Sequence, residues 1–272
     1  MPFFLPLESE VKAGEEPWFA GGRRRAGQAA VLRQHFRRPL YQAIIDSRAF
    51  RRLDDIRFLG AIDYLFRPNG AWGARRHSRY WHTLGVAALA SQGARRMGYS
   101  ERDEIYAVTA ALLHDIGHAP LSHSLEPVFR KHFGLDHHQA CRASLYGKSE
   151  AGEAGRQLHG ILREAGLDID LLLAVIEGGC RDRAGTMFSG PINVDTIDGI
   201  YRTYAYASSR HPAEPPPALV AAAAFGDEGR NLSVLDGFWR LKDSVYRHVI
   251  RGPRGIVADA AAQCYMETRI GA

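Results

Sequence analysis

LLHDIGHAPLSH, residues 112–123, sets His114 beside Asp115 at the end of an apolar run and adds His118 and His123 directly after it. Upstream, Ser100 followed by Glu101 and Asp103 reads as an N-cap with an acidic first turn. Such a start satisfies free backbone N–H groups and suits the positive end of the helix dipole. A helix is therefore expected from there through YAVTAALLHDIG. Gly117 reads as its C-cap and Pro120 forbids continuation, which leaves His118 in the turn that follows. Adjacent helix positions diverge by about 100°, yet two short side chains at a helix end can converge on one ion. Imidazole with carboxylate suits Mn, Fe, Co, Ni or Zn. A hydrogen-bonded His–Asp pair capping a helix reads equally well from this stretch alone.

Helical periodicity dominates on both sides. YQAIIDSRAFRRLDDIRFLG (41–60) and WHTLGVAALASQGARRMG (81–98) repeat apolar residues every three or four positions and stop on Gly60 and Gly98. RQLHGILREAG, DLLLAVIEGG, VDTIDGIYRTYAYA and FWRLKDSVYRHVI continue the pattern. Strand-like alternation is scarce; DYLFRPNGAWG (63–73) is the one candidate for a small β-hairpin excursion. The expected class is all-α, a helical bundle. HPAEPPPAL marks a Pro-rich linker at 211–218, between a core at 1–210 that carries an N-terminal extension and a C-terminal helical segment at 219–272 that packs back on it.

The length of 272 residues is ample for a sizeable core. No apolar run approaches the roughly 18–20 residues a membrane crossing needs, and MPFFLPLESEV lacks a cationic leader region. A cytoplasmic protein with no membrane contact is expected. Cys141, Cys180 and Cys264 are isolated, so neither a zinc finger nor a disulfide framework is indicated. GKS at 147–149 is no P-loop, because Arg142 stands where its first glycine belongs. The net charge of +5 comes largely from arginine pairs (Arg37–Arg38, Arg51–Arg52, Arg75–Arg76, Arg95–Arg96) and the triplet Arg23 to Arg25. Guanidinium forks suit phosphate oxygens, which points to a phosphate-bearing small molecule or single-stranded nucleic acid, although exposed helix arginines are common without either.

Two further stretches supply matching chemistry. RYWHTLGV (79–86) places His82 early on an apolar helix with Arg79 one turn before it, and NVDTIDGIYR (193–202) opens a helix with Asp195 and Asp198. HSRYWHTLGV, LLHDIGHAPLSHSLE and SGPINVDTIDGIYR together resemble the HD-domain metal-dependent phosphohydrolase superfamily, and within it the deoxynucleoside triphosphate triphosphohydrolases. FRRLDDIRFLG and LKDSVYRHVI extend that similarity over about residues 41–250.

The resemblance implies an HD-domain helical bundle holding a divalent ion (Mn, Fe, Co, Ni, Zn or Mg) through His82, His114, Asp115 and Asp195. It implies catalytic roles for His118, which moves protons, and for His123 and His138 near the phosphates. Arg79, Arg202, Tyr201 and Asp198 are implied substrate contacts. The implied reaction is attack of metal-activated water on the α-phosphate of a nucleotide, releasing nucleoside and triphosphate; a homo-oligomer is expected. Three departures stand out. Gln139 replaces the glutamate that pairs with the histidine before it, and Gly199 and Thr203 replace a tyrosine and an aspartate that help hold the sugar. These keep open a phosphatase or phosphodiesterase acting on monophosphates, cyclic nucleotides or other small phosphate esters, and a nucleotide- or nucleic-acid-binding protein without turnover.

Overall fold

A computed structural model describes residues 36–65, 77–180, 183–208, 215–226 and 231–271. Among them no strand forms, and the one extended pairing is an isolated antiparallel bridge between Arg57 and Ser78. The hairpin expected at 63–73 falls mostly outside the described residues; its first three positions belong to a 3-10 turn, Gly60–Leu65.

The helix expected over 41–60 is broken. α1 (Pro39–Asp46) ends at Ser47, whose backbone is extended and whose hydroxyl accepts from Phe50 N to start α2 (Arg48–Arg51). Serine competes for backbone hydrogen bonds in this way wherever a helix can restart. A 3-10 turn (Arg52–Asp55) follows, and Ile56 is extended. Arg52 then donates to the carbonyls of Ile116 and His118, at 2.6 and 2.7 Å. Its guanidinium therefore caps the backbone at 116–118, the turn directly after His114–Asp115 (the HD turn), and Arg51 pairs with Asp46.

The centre of the molecule is a packed pair, α3 (Arg79–Arg96) and α4 (Glu101–Leu113). Ala87, Ala88, Ala90, Ala94, Ala107, Ala110 and Ala111 are fully buried along the two helices, and such small side chains let two backbones approach closely. A helix buried on nearly all sides has no need of a polar face. The short link works because Gly98 takes φ +60° and Ser100 accepts from Asp103 N as an N-cap.

α5 (Glu126–Phe133) and α6 (His137–Leu145) continue the chain past the HD turn, and α7 (Gly152–Glu164) packs on α6, α1 and α2. α8 (Ile169–Ile176) and the short α9 (Arg183–Thr186) lie on α4, and α10 (Val194–Ser208) on α3. α11 (Pro217–Phe225) and α12 (Leu232–Val245) pack on α10; Pro217 already stands in the first turn of α11, inside the stretch read as linker. A single π-turn (Tyr246–Ile250) leads to α13 (Pro253–Ile270), which lies against the 3-10 turn at 60–65, α5 and the segment 122–124. No helix among the described residues is long and apolar enough to cross a membrane.

Candidate metal and phosphate site

α3, α4 and α10 bring His82, His114, Asp115 and Asp195 to one point. His82 Nε2 lies 3.0 Å from Asp195 Oδ1 and 3.6 Å from Asp115 Oδ2. His114 Nε2 lies 3.4 Å from His82 Nε2, 3.5 Å from Asp115 Oδ1 and 3.8 Å from Asp195 Oδ1. Two donors bound to a common ion at about 2.1 Å stand roughly 3.0–3.5 Å apart, so His82, His114 and Asp115 suit one first-row divalent ion, with Asp195 Oδ1 beside the two imidazoles.

The fit extends to the protons. His82 Nδ1 is hydrogen-bonded to Asp198 Oδ2 at 2.7 Å, and His114 Nδ1 to the carbonyl of Ala111 at 2.9 Å. Both bonds place the proton on Nδ1 and leave an Nε2 lone pair facing the carboxylates, as metal-ligating histidines require. Burial opposes charge on His114, but Asp115 and Asp195 outweigh it and raise the ring to about 9. Burial likewise opposes charge on Asp195; His114 and His82 reverse this and hold it well below the usual carboxylate range. Asp195 is walled by protein, yet 48% of its side chain is open to the cavity. Asn193 caps α10 by accepting from Thr196 N at 2.7 Å, which sets Asp195 in the first turn.

Arg79 is turned inward. Its Nε donates to Ser122 Oγ at 2.9 Å, Nη1 to Asp115 Oδ2 at 2.6 Å and Nη2 to the carbonyl of Phe58 at 3.2 Å. It orients Asp115 and braces Ser122, while still contributing to the cavity wall. The turn it braces is unusual, because Leu121 and Ser122 both take left-handed backbone, φ 60° and 48°. Non-glycine residues in that region cost about 1–3 kcal/mol each and persist where surrounding contacts over-determine them. Here Ser122 Oγ also donates to the carbonyl of Arg57 at 2.6 Å.

Beyond the turn sits a second histidine cluster. His118 stacks on His137 with ring centres 4.2 Å apart and planes 8° from parallel, and His123 stands edge-on to both. Glu126 ties two of them, accepting from His137 Nδ1 at 2.9 Å and from His123 Nδ1 at 2.8 Å. The hydrogen bond from His123 leads the effects that pull Glu126 far below its ordinary range, against partial burial. His118 is buried, and burial followed by Arg79 drives its ring well below the ordinary histidine value. Its Nε2 lies 3.2 Å from Asp115 Oδ1 without an aligned hydrogen bond. Ligand atoms of these three rings lie within 4.8 Å of one another. A shared ion would have to lie in the plane of each ring, which two parallel stacked rings do not allow; as arranged, the cluster suits hydrogen bonding to an anion better than chelation.

Both clusters open onto one cavity of about 590 Å³, which His138, Gly199 and Thr203 also line. Phe58, Ile62, Ile176, Phe188, Ile200 and Tyr246 supply its apolar wall. Gly199 keeps that wall open, since a Cβ there would sit 3.3 Å from Phe58 and 3.8 Å from His82. Thr203 uses its hydroxyl within the helix, donating to the carbonyl of Gly199 at 2.7 Å.

Other expected site residues lie behind this wall. Asp198 and Arg202 form a buried pair, with Arg202 Nε 2.8 Å from Asp198 Oδ2 and its Nη2 on the carbonyl of Trp81. Tyr201 is buried and donates to the carbonyl of Pro215. None of the three is on the cavity lining. His137, rather than His138, is the ring stacked on His118. Gln139 joins Asp136 in a capping box that starts α6. The carboxylate beside the histidines is Glu126, which sequence reading passed over; its place in SHSLE, three residues after His123 at a helix start, was the available signal. Gly117 has no left-handed backbone: a Cβ there would fall 1.9 Å from the carbonyl oxygen of His137. It is a contact glycine between the HD turn and α6.

Residues 79–171 match the HD domain family model. That stretch is about a third of the chain and runs from α3 to the start of α8. Its curated relatives include the uncharacterized protein YwfO of Bacillus subtilis, 31% identical over 179 residues, 63% of this chain and 37% of that protein. They also include the deoxynucleoside triphosphate triphosphohydrolase SAMHD1 of Bos taurus, 38% identical over 98 residues, 34% of this chain and 16% of that protein. The chain thus spans well under half the length of these relatives. Among solved structures, a hypothetical protein from Aquifex aeolicus shares the fold, with TM-score 0.67 at 19% identity over 86% of this chain and 62% of its own.

Proposed function

We propose that the chain is a metal-dependent phosphohydrolase acting on a nucleotide, with a deoxynucleoside triphosphate as the first substrate to test. The observation that carries this reading is the Nε2 pair of His82 and His114, turned toward Asp115 and Asp195 at the edge of a cavity that also presents His118, His123 and His137. A divalent ion bound there lowers the pKa of water and offsets phosphoryl charge. The chain's own residues do the rest. Arg79 fixes Asp115, and Glu126 holds His123 and His137 so that their remaining nitrogens are available to phosphate oxygens. His118, kept neutral by its surroundings, accepts or returns a proton at Nε2. The apolar wall accommodates a base or other flat group.

The named activity of the SAMHD1 relatives supports the triphosphate reading, in which nucleoside and tripolyphosphate are released. Gly199 and Thr203 support the second: with no side chain at 199 and the 203 hydroxyl spent on its own helix, a small phosphate monoester or cyclic nucleotide fits the same site. The test is a panel of deoxynucleoside triphosphates, monophosphates and cyclic nucleotides, each with Mn, Fe, Co, Ni or Mg. Tripolyphosphate from any triphosphate selects the first reading; orthophosphate or ring opening without it selects the second. Salt-dependent binding of single-stranded nucleic acid that survives Asp195→Ala, with no turnover of any ester, overturns both.

A further inference from the structure

The C-terminal helix reaches the cavity at Asp259, which lines it although no motif marks this residue. Asp259 Oδ1 accepts from Ser124 Oγ at 2.5 Å. Ser124 is buried, accepts from Ala61 N at 2.9 Å, and through its carbonyl takes Gln263 Nε2 at 2.9 Å. Gly60 makes this close seat possible: a Cβ there would lie 2.3 Å from Ser124 Oγ. The carboxylate is therefore fixed beside the residue that follows His123. Its second oxygen makes no hydrogen bond among the described residues.

This is an unusual place for a carboxylate. The same cavity presents His123 and His137, while Asp195 and Asp115 lie at the His82–His114 cluster. Asp259 is the third carboxylate on the cavity lining, after Asp115 and Asp195, and it comes from α13, apart from the four expected ligand positions. A fixed charge on a partly enclosed wall repels a neighbouring anion several ångströms away more strongly than it would in open water.

Building on the phosphohydrolase reading, we infer that Asp259 is a specificity-determining residue. It limits the negative charge a substrate can carry in this cavity, and favours a hydrogen-bond donor such as a hydroxyl or amino group beside it. It thereby tilts the site toward substrates with a short phosphate chain.

The test uses binding as well as turnover. The metal-loaded full chain, Asp259→Asn and Ser124→Ala are each titrated calorimetrically with orthophosphate and with pyrophosphate, metal content being checked afterwards. Asp259→Asn keeps the shape and removes the charge, so affinity for pyrophosphate relative to orthophosphate rises about tenfold, and kcat/KM for a nucleoside triphosphate relative to the monophosphate rises with it. Ser124→Ala loosens the carboxylate but keeps its charge, and the ratio stays near that of the parent. An unchanged ratio in Asp259→Asn, or an equal shift in Ser124→Ala, overturns the inference while leaving the phosphohydrolase reading intact. If neither anion binds the parent protein at all, the phosphohydrolase reading itself fails and the inference falls with it.

Discussion

Asp198 Oδ2 accepts from His82 Nδ1 across 2.7 Å, and this contact leaves Nε2 as the nitrogen that faces Asp195 and Asp115. The carboxylate is held by Arg202 as well, through both of its oxygens. Asp198→Asn leaves a side chain that can offer its own N–H to Nδ1, turning the imidazole into the wrong tautomer. Metal affinity is expected to fall about 10–100-fold. The variant also removes the carboxylate charge beside the buried Arg202, a loss of about 3–5 kcal/mol. Calorimetric metal titration and the nitrogen chemical shifts of His82 separate the two effects; an unchanged metal affinity with the parent tautomer refutes the assignment.

Glu126→Gln isolates the second cluster. The amide cannot stabilise the charged forms of the rings it touches, and His137, already lowered by burial against the pull of Glu126, should titrate lower still. Metal content should stay at the parental level, because Glu126 touches none of the four ligand positions. Turnover should drop about 10–100-fold, less than removal of a proton-transfer group costs at the upper end. Proton NMR of His137 and kinetics under saturating metal check both halves.

The central helices and the meeting of His82, His114, Asp115 and Asp195 were legible because they are written locally. The Ser100 cap, the Gly98 stop and the runs of alanine and leucine specify α3 and α4 before any contact is considered, and H…HD…D marks the residues that converge. What escaped reading depends on contacts between distant segments. Ser47 breaks a periodic stretch because its hydroxyl finds Phe50 N, a choice that periodicity cannot register. Arg79 turns inward because Ser122, Asp115 and Phe58 wait there, and His137 rather than His138 reaches His118 because of how α6 meets the HD turn. Glu126 looked like an ordinary first-turn acid. The segment containing most of the suspected hairpin lies outside the described residues.

Metal removal should make stability depend on pH in a particular direction. His114 is raised to about 9 in the metal-free fold, above the ordinary value of about 6.5. A raised histidine contributes stability that is fully present below about 6.5 and is lost as pH climbs through 9. The chelator-treated protein should therefore melt at progressively lower temperature between those limits, by an amount of the order of a few kcal/mol. Metal binding needs the neutral ring, so loading at pH 7 should release protons and the loaded protein should melt nearly independently of pH across the same window. Thermal melts with and without chelator, together with proton release measured in two buffers of different ionisation heat, read this directly. A flat metal-free profile, or metal uptake without proton release, contradicts it.

Gly117→Ala tests the contact that joins the two clusters. A Cβ at 117 would lie 1.9 Å from the carbonyl oxygen of His137 and 2.5 Å from the backbone N of Cys141. Both are helix backbone, which cannot rotate away as a side chain can, so α6 must shift as a unit. Forcing a methyl group into packed surroundings costs about 1–3 kcal/mol, and for a chain of this size each kcal/mol lowers the melting temperature by about 2–4 °C. Turnover should suffer more than stability, because the shift pulls His137 off His118 while His82, His114, Asp115 and Asp195 remain in place on other helices. The expected result is a protein that melts several degrees lower, binds metal as tightly as the parent and turns over slowly. A C-cap role for Gly117 predicts otherwise: alanine would then fray the end of α4, and metal binding through His114 and Asp115 would weaken along with the melting temperature.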